Sequence, residues 1–172
     1  MSGRCTALLL CAVLIAGLAA GHVAAQSVDT LKELLLYYRC PLSPYLQAIY
    51  ERPAAVADRF LRVSVTDRPQ SFVQCMFRDT AVYCEASAYD GTVSRKRALA
   101  PQAVAALQSL GFAIGKGGEN LSYERAFRGR PDFDAIATLM LTALHDAYSV
   151  RADTELKTYT PFAGSLITVC RR

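Results

Sequence analysis

The sequence predicts an α+β domain in which helices pack on one face of an antiparallel β-meander sheet that is stapled by disulfides. Two observations predict this fold class. Apolar residues recur at helical spacing near both ends of the chain, but they alternate with a period of two between residues 60 and 89. The strands therefore follow one another in a run instead of alternating with helices, which favours an antiparallel sheet.

The pattern before residue 53 predicts two helices. The first begins at Thr30, which has capping-box spacing to Glu33, and ends at the prolines of "CPLSP". Ser43 followed by Pro44 is a favourable N-cap and first helical position, so a second helix is expected from there. The apolar stripes of the two helices are Leu31, Leu34, Leu35 and Tyr38, then Leu46, Ile49 and Tyr50.

Alternation with a period of two begins at Phe60 and predicts three strands, "FLRVSVT", "SFVQCMF" and "AVYCEASAY", with "DGT" closing the meander. Pro101 then starts a helix that Gly111 ends, and "NLSYERAF" is a further strand. Asp132 begins the clearest helical pattern, and a last strand, "SLITVC", is expected in the tail. The stripe of the helix after Asp132 is predicted to be Ile136, Leu139, Met140, Ala143, Leu144, Ala147 and Tyr148.

The first 25 residues have the pattern of an export signal. Arg4 precedes an almost wholly apolar run, and small residues at Val23 and Ala25 predict cleavage after Ala25. An uncleaved membrane anchor is the alternative, but the apolar run is near the lower limit for spanning a bilayer. We therefore expect a single domain over residues 26–172, located in the periplasm or outside the cell, without a stable membrane anchor. The mild formal net charge of +4 does not call for a nucleic-acid partner.

Four cysteines remain after residue 25, and an even number in an exported chain indicates disulfides. A turn at Asp79-Thr80 places Cys75 opposite Cys84, with apolar residues facing each other on the same side. A two-residue loop makes this a close, non-hydrogen-bonded pair that suits a disulfide, whereas a four-residue loop keeps the facing but reverses the parity. Pairing of Cys75 with Cys84 leaves Cys40 to pair with Cys170.

Metal and cofactor sites find little support in the sequence. Metal binding lacks ligands, because no CxxC motif is present and His145 is the single histidine after residue 25. The glycine-rich stretch "GFAIGKGG" differs from a phosphate loop in its spacing and lacks Ser or Thr after the lysine. No catalytic residue, metal or cofactor is therefore predicted.

A small periplasmic hydrolase that uses His145 with a serine is the alternative function. No GxSxG elbow is present. Asp146 is next to His145 on a predicted helix, so its side chain is expected to point about 100° away. His145 is therefore interpreted as a surface residue.

The second face of the predicted sheet is unusually apolar. In the register above, the residues that point away from the helices are Phe72, Gln74, Met76, Tyr83, Glu85 and Tyr89. Because contiguous apolar patches tend to mark interfaces, the predicted partner-binding residues are Phe72, Met76, Tyr83 and Tyr89. The first helix, or the tail around Leu166 and Val169, is the alternative cover for this face.

Three stretches carry a resemblance to a known fold: "FVQCMFRDTAVYCEAS", "LQSLGF" and "NLSYERAF", followed by the long helix. From about residue 60 to residue 148, their order resembles the YbjN-like, type III secretion chaperone-like fold. The resemblance implies a noncatalytic α+β domain, often dimeric, that grips a segment of a partner protein. Secretion chaperones are cytosolic and usually acidic, so the expected function here is an exported chaperone-like interaction module.

Overall fold

The protein folds into a six-stranded sheet with helices on one face and a small separate hairpin. The structure is a computed structural model that describes residues 19–53, 59–115 and 120–161, with side chains from residue 30 onward. The helices are α1 (Ala19–Tyr50), α2 (Pro101–Ser109) and α3 (Phe133–Tyr148). The strands are β1 (Phe60–Val65), β2 (Phe72–Arg78), β3 (Ala81–Ser87), β4 (Tyr89–Thr92), β5 (Arg95–Ala98), β6 (Ala113–Ile114), β7 (Asn120–Ala126) and β8 (Leu156–Tyr159).

The large sheet has the strand order β6-β7-β3-β2-β1-β8, and every neighbouring pair is antiparallel. Burial alternates along its central strands, so that one face enters the core and the other does not. The buried face packs with α1, α2 and α3 in one hydrophobic cluster. The predicted α+β class, with helices on one face of an antiparallel sheet, is therefore confirmed.

The β2–β3 hairpin has the predicted register. Cys75 pairs with Cys84, and Arg78 pairs with Ala81 around a two-residue turn. Asp79 adopts a left-handed conformation in that turn, with φ of 44°. The two cysteines form a disulfide across a Cα–Cα distance of 4.0 Å, as expected for a close, non-hydrogen-bonded pair. The staple between Cys75 and Cys84 is thus confirmed, and the two-residue loop is the one that forms.

The prediction of two helices before residue 53 was wrong, because α1 runs without interruption from Ala19 to Tyr50 with Pro41 and Pro44 inside it. A proline inside a helix costs about 3 kcal/mol, since it removes one backbone hydrogen bond and crowds the preceding turn. Burial of an aliphatic side chain offsets roughly 1.5–3 kcal/mol. The buried side chains that continue along one face of α1 before, between and after the two prolines are Leu34, Leu42, Leu46 and Ile49. Their burial offsets the cost of the prolines.

Other expectations near the chain ends have mixed outcomes. Thr30 is not an N-cap, because α1 already begins at Ala19. Cys40 is disulfide-bonded, but Cys170 lies outside the described residues, so the Cys40–Cys170 pairing stays a prediction. The predicted tail strand, residues 165–170, also lies outside them, as do residues 116–118 of the glycine-rich stretch.

Strands β4, β5, β6 and β8 were not predicted. The third predicted strand ends early, because the Tyr89 N–H donates to the Ser87 hydroxyl at 3.1 Å and the chain then turns into the β4–β5 hairpin. Gly91 has a φ of +106° in this hairpin, and a Cβ there would lie 2.6 Å from the Arg95 carbonyl oxygen. Strands of two to four residues are too short for their alternation to be recognised in the sequence.

Candidate peptide-binding surfaces

The open face of the six-stranded sheet is the surface opposite the helices. Phe72, Met76 and Tyr83 lie on it as predicted, all half-buried, and Met76 faces Tyr83 directly. Tyr89 does not, because it belongs to β4 in the separate two-stranded sheet. Helix α1 packs with α3 on the other side of the sheet, so it is not the cover for this face. Leu166 and Val169 lie outside the described residues.

Two arginine guanidinium groups lie over aromatic rings of the open face. The guanidinium of Arg62 lies 3.8 Å from the centre of the Phe72 ring, and that of Arg78 lies 3.9 Å from the Tyr83 ring. Arg62 also donates to the Pro69 carbonyl at 2.6 Å, and burial lowers its pKa. A partner that docks on Phe72 would have to displace a guanidinium that already has its contacts.

Tyr83 is held at the surface by a polar contact. Its hydroxyl donates to Oε1 of Glu85 at 3.0 Å. Burial, and then the bond to the Glu85 carboxylate, raise the pKa of Tyr83, because both favour the protonated phenol. The open face therefore carries both aromatic and charged side chains, and these already contact one another.

The outer edge of β7 forms a second surface that the sequence did not reveal. In the described part of the chain, strand β6 pairs with β7 at Leu121 and Ser122, and the pairing does not reach Tyr123. Within the described ranges, no strand lies beside the outer side of Glu124–Ala126. An unpaired row of backbone groups on a sheet edge is a template for pairing with another chain.

The direction of the free backbone groups follows from two hydrogen bonds. The Phe127 N–H donates towards β3, to the Thr80 carbonyl at 2.8 Å, and the Asn120 carbonyl accepts from Gly115 at 3.1 Å on the β6 side. The backbone N–H and C=O groups of successive residues point to alternate sides of an antiparallel strand. Glu124 and Ala126 have the same parity as Asn120, so their N–H and C=O groups face outwards. Two consecutive pairing positions are therefore available at this edge.

A groove of about 490 Å³ borders this edge on the helix side of the sheet. It lies between β7, the end of α2 and the first turns of α3. Its apolar walls are formed by Val82, Leu110, Tyr123, Ala126, Phe127, Pro131, Ala135, Ile136 and Leu139. Its two charged members are Arg125 and Asp132.

The local sequence explains how the groove is built. Asp132 caps α3 by accepting from the Ala135 N–H at 2.9 Å, which fixes where the helix begins beside β7. Gly111, with φ of +92°, ends α2 and lets the chain pass close to the Tyr123 ring. Leu139 remains half-buried in this arrangement. In the part of the chain that the structure describes, a groove lined mainly by apolar residues thus borders an unpaired strand edge.

Comparison with protein families gives the deciding observation. The model of the family TY-Chap3, described as T3SS (YopN, CesT) and YbjN peptide-binding chaperone 3, matches residues 42–161. The chain belongs to this family. The match begins inside α1 and ends just after β8, so it takes in the whole six-stranded sheet, both surfaces and α3. Comparison with curated proteins and with solved structures finds no match.

Membership of the TY-Chap3 family confirms the resemblance drawn from the sequence. The protein is a peptide-binding, chaperone-like module, and its partners are proteins. Within residues 19–53, 59–115 and 120–161, none of the helices has the length and hydrophobicity that crossing a bilayer requires.

His145 has a different place in this TY-Chap3 domain from the one predicted. Its side chain is only 10% exposed. Its Nε2 lies 2.9 Å from the Thr30 hydroxyl of α1, and its Nδ1 lies 2.6 Å from Oδ1 of Asp146. The predictions that His145 is a surface residue and that Asp146 points away from it were both wrong. The carboxylate of Asp146 bends back along the helix surface, and the packing of α1 on α3 encloses the ring.

The observed contacts of His145 do not support the hydrolase alternative. Both ring nitrogens are engaged by Thr30 and Asp146, and neither contact involves a serine. The network joins α1 to α3, the two helices that pack most extensively on each other. The hydrogen bonds of His145 therefore help to hold α1 against α3.

Proposed function

We propose that the protein is exported and holds an extended segment of a partner protein against the outer edge of β7. The observation that carries this proposal is that, among the described residues, the backbone of Glu124 and Ala126 has no strand partner and lies beside the groove. A peptide that adds as a strand gains backbone hydrogen bonds at the edge. Its alternate side chains give specificity by filling pockets beside the strand.

The groove has the size and composition for this task. Its volume of about 490 Å³ falls within the range of about 300–1000 Å³ that is usual for ligand pockets. Side chains of an added strand that point to the helix side would contact Phe127, Ile136 and Leu139. Side chains of the opposite parity would point to solvent or to the open face.

The open face is the second proposed contact surface. Its residues Phe72, Met76 and Tyr83 lie on one face of the β2–β3 hairpin, so a partner protein or a second copy of the chain would contact them together. It ranks behind the groove, because its rings are covered by Arg62 and Arg78 and its backbone groups are already paired. A bound protein would use it for side-chain contacts only.

Export is supported by the sequence and by the cysteine chemistry. Residues 1–25 have the pattern of a signal peptide, with cleavage after Ala25. Disulfides such as Cys75–Cys84 persist mainly in oxidising compartments. Periplasmic or secreted protein isolated from the native host should therefore begin at Gln26, and peptide mapping without reductant should recover the Cys75–Cys84 link. Protein that retains Met1 would instead favour the membrane anchor.

A model peptide tests the groove directly. The probe is a fluorescent decapeptide of alternating valine and threonine, acetylated and amidated, whose binding is followed by anisotropy. Leu139→Gln places an amide in the groove and should weaken binding on the order of tenfold, since an apolar contact worth about 1.5 kcal/mol is lost. Leu36→Gln is the matched control, because Leu36 is 57% exposed on α1 and lies outside the groove.

Two outcomes decide the proposal. Unchanged binding in Leu36→Gln together with weakened binding in Leu139→Gln supports the groove. Equal binding by the wild type and Leu139→Gln overturns it. Thermal unfolding of both variants shows that the comparison is made between folded proteins.

A further inference from the structure

We infer that the groove selects partner segments that carry an acidic residue among apolar ones, and that Arg125 recognises the carboxylate. This inference rests on the proposed binding of a peptide along β7. It adds the chemical class of the segment and the residue that reads it.

Among the described residues, Arg125 is a cation without a partner on the wall of the groove. Its side chain is exposed and lies on the helix side of β7, opposite Val82 in the register with β3. In the described part of the chain, no hydrogen bond, ion pair or ring contact engages its guanidinium. An exposed cation on an apolar wall retains its full capacity to pair with an incoming carboxylate.

Other arginines near the two surfaces are already engaged. Arg62 and Arg78 lie over aromatic rings of the open face. Arg130 lies 3.7 Å from the Glu51 carboxylate and also approaches the Phe133 ring. Arg125 therefore differs from these three residues in being available for a ligand.

The geometry of strand addition brings a ligand side chain next to Arg125. A segment that exchanges hydrogen bonds with Glu124 and Ala126 places the residue between those two pairs directly opposite Arg125. Such a non-hydrogen-bonded position has a Cα–Cα distance of about 4.5 Å, and both side chains point to the same face. A glutamate at this position can reach the guanidinium without leaving the groove.

Asp132 is the other charge on the groove wall, and it is less available. One oxygen of its carboxylate accepts from the Ala135 N–H at the start of α3. The positive end of the helix dipole offsets part of its charge. Arg125 is thus the charged group left to discriminate between partner segments.

Charge-matched peptides test this inference. The valine–threonine decapeptide is made in three versions, with glutamate, glutamine or lysine replacing one central valine. Because an exposed pair is worth up to about 1 kcal/mol, the wild type should bind the glutamate version roughly fivefold more tightly than the lysine version. Arg125→Glu should reverse this order. Arg128→Glu, which makes the same charge change outside the groove, should keep the wild-type order.

The possible failures are distinguishable. If all three peptides bind equally and Leu139→Gln weakens all of them, the groove stands and the role of Arg125 is overturned. If Arg125→Glu and Arg128→Glu change the preference equally, net charge and not a specific contact is responsible, which also overturns it. If neither Leu139→Gln nor Arg125→Glu affects binding, the groove and the inference fall together.

Discussion

Two neighbouring pairs of residues in the β2–β3 hairpin differ in the face of the sheet to which their side chains point. Cys75 and Cys84 point to the helices and have no exposed surface. Met76 and Tyr83, one position nearer the turn on each strand, point to the open face and remain half-buried. The difference shows that alternation along the strand, and not hydrophobicity alone, decides which apolar residues hold the fold together.

The same comparison separates the two candidate surfaces. The open face lies over central strands, whose backbone groups are fully paired, and its rings are covered by arginines. The groove lies at an edge, where two residues of β7 keep outward backbone groups free in the described part of the chain. An edge can offer backbone bonds and apolar pockets together, which a sheet face cannot.

The largest expected effect concerns the covalent pair. Replacing Cys75 and Cys84 with alanine removes a short disulfide ring, which is worth roughly 3 kcal/mol of unfolding free energy in the chain-entropy model. Urea unfolding under non-reducing conditions measures the loss. A loss below about 0.5 kcal/mol would show that the hairpin does not depend on its staple.

Two tyrosines on opposite sides of the sheet give a smaller, pH-dependent contrast. Tyr148 is 2% exposed on the helix side, and its hydroxyl donates to the Ser87 carbonyl. Burial, and secondarily the charge of Asp90, raise the pKa of Tyr148 well above the ordinary value of a tyrosine. The folded protein thus keeps a proton that the unfolded chain releases above about pH 10, so this contribution to stability is lost as the pH rises past that value.

Tyr148→Phe should lower the unfolding free energy by about 1 kcal/mol at neutral pH, because a hydrogen bond is lost. Its unfolding free energy should also fall less steeply than that of the wild type above pH 10. Tyr83→Phe is the control on the open face and should change this slope less, since Tyr83 is more exposed. Equal slopes in Tyr148→Phe and the wild type would contradict the assignment.

The smallest effect is expected on the open face itself. Changing Met76 and Tyr83 together to threonine should lower the unfolding free energy by less than about 1 kcal/mol, because the lost Glu85 hydrogen bond and Arg78 contact lie on the solvent side of the sheet. Affinity for the valine–threonine decapeptide should stay within about twofold of the wild type. A large fall in melting temperature would show that this face is core, and a large fall in affinity would move the peptide site to it.

The sequence predicted the parts of the fold that rest on strong periodicity. The register at Cys75–Cys84, the limits of α2 and the start of α3 at Asp132 all follow from local patterns and were confirmed. The continuity of α1 was missed because two prolines are a strong local signal, while the packing that outweighs them is tertiary. Leu42, which continues the stripe between those prolines, was the one available hint.

The groove was beyond prediction from sequence for a related reason. It depends on where β6 stops along β7, and a strand of two residues has no periodicity to read. Arg125 lies on β7 and Leu139 on the helix that follows it, and nothing in either segment indicates that they line one groove. The positions of Phe72, Met76 and Tyr83 on the open face could be predicted, because all three residues lie in one hairpin. The position of Tyr89 was predicted wrongly, because the chain turns after Ser87.

Residue-resolved amide hydrogen exchange by NMR is the most direct test of the central claim that a peptide adds to the edge of β7. With the glutamate version of the decapeptide bound, the amides of Glu124 and Ala126 should become protected, while those of Met76 and Tyr83, already paired within the sheet, should not change. Unchanged exchange at Glu124 and Ala126, with peptide-induced shifts confined to Phe72, Met76 and Tyr83, would contradict the account.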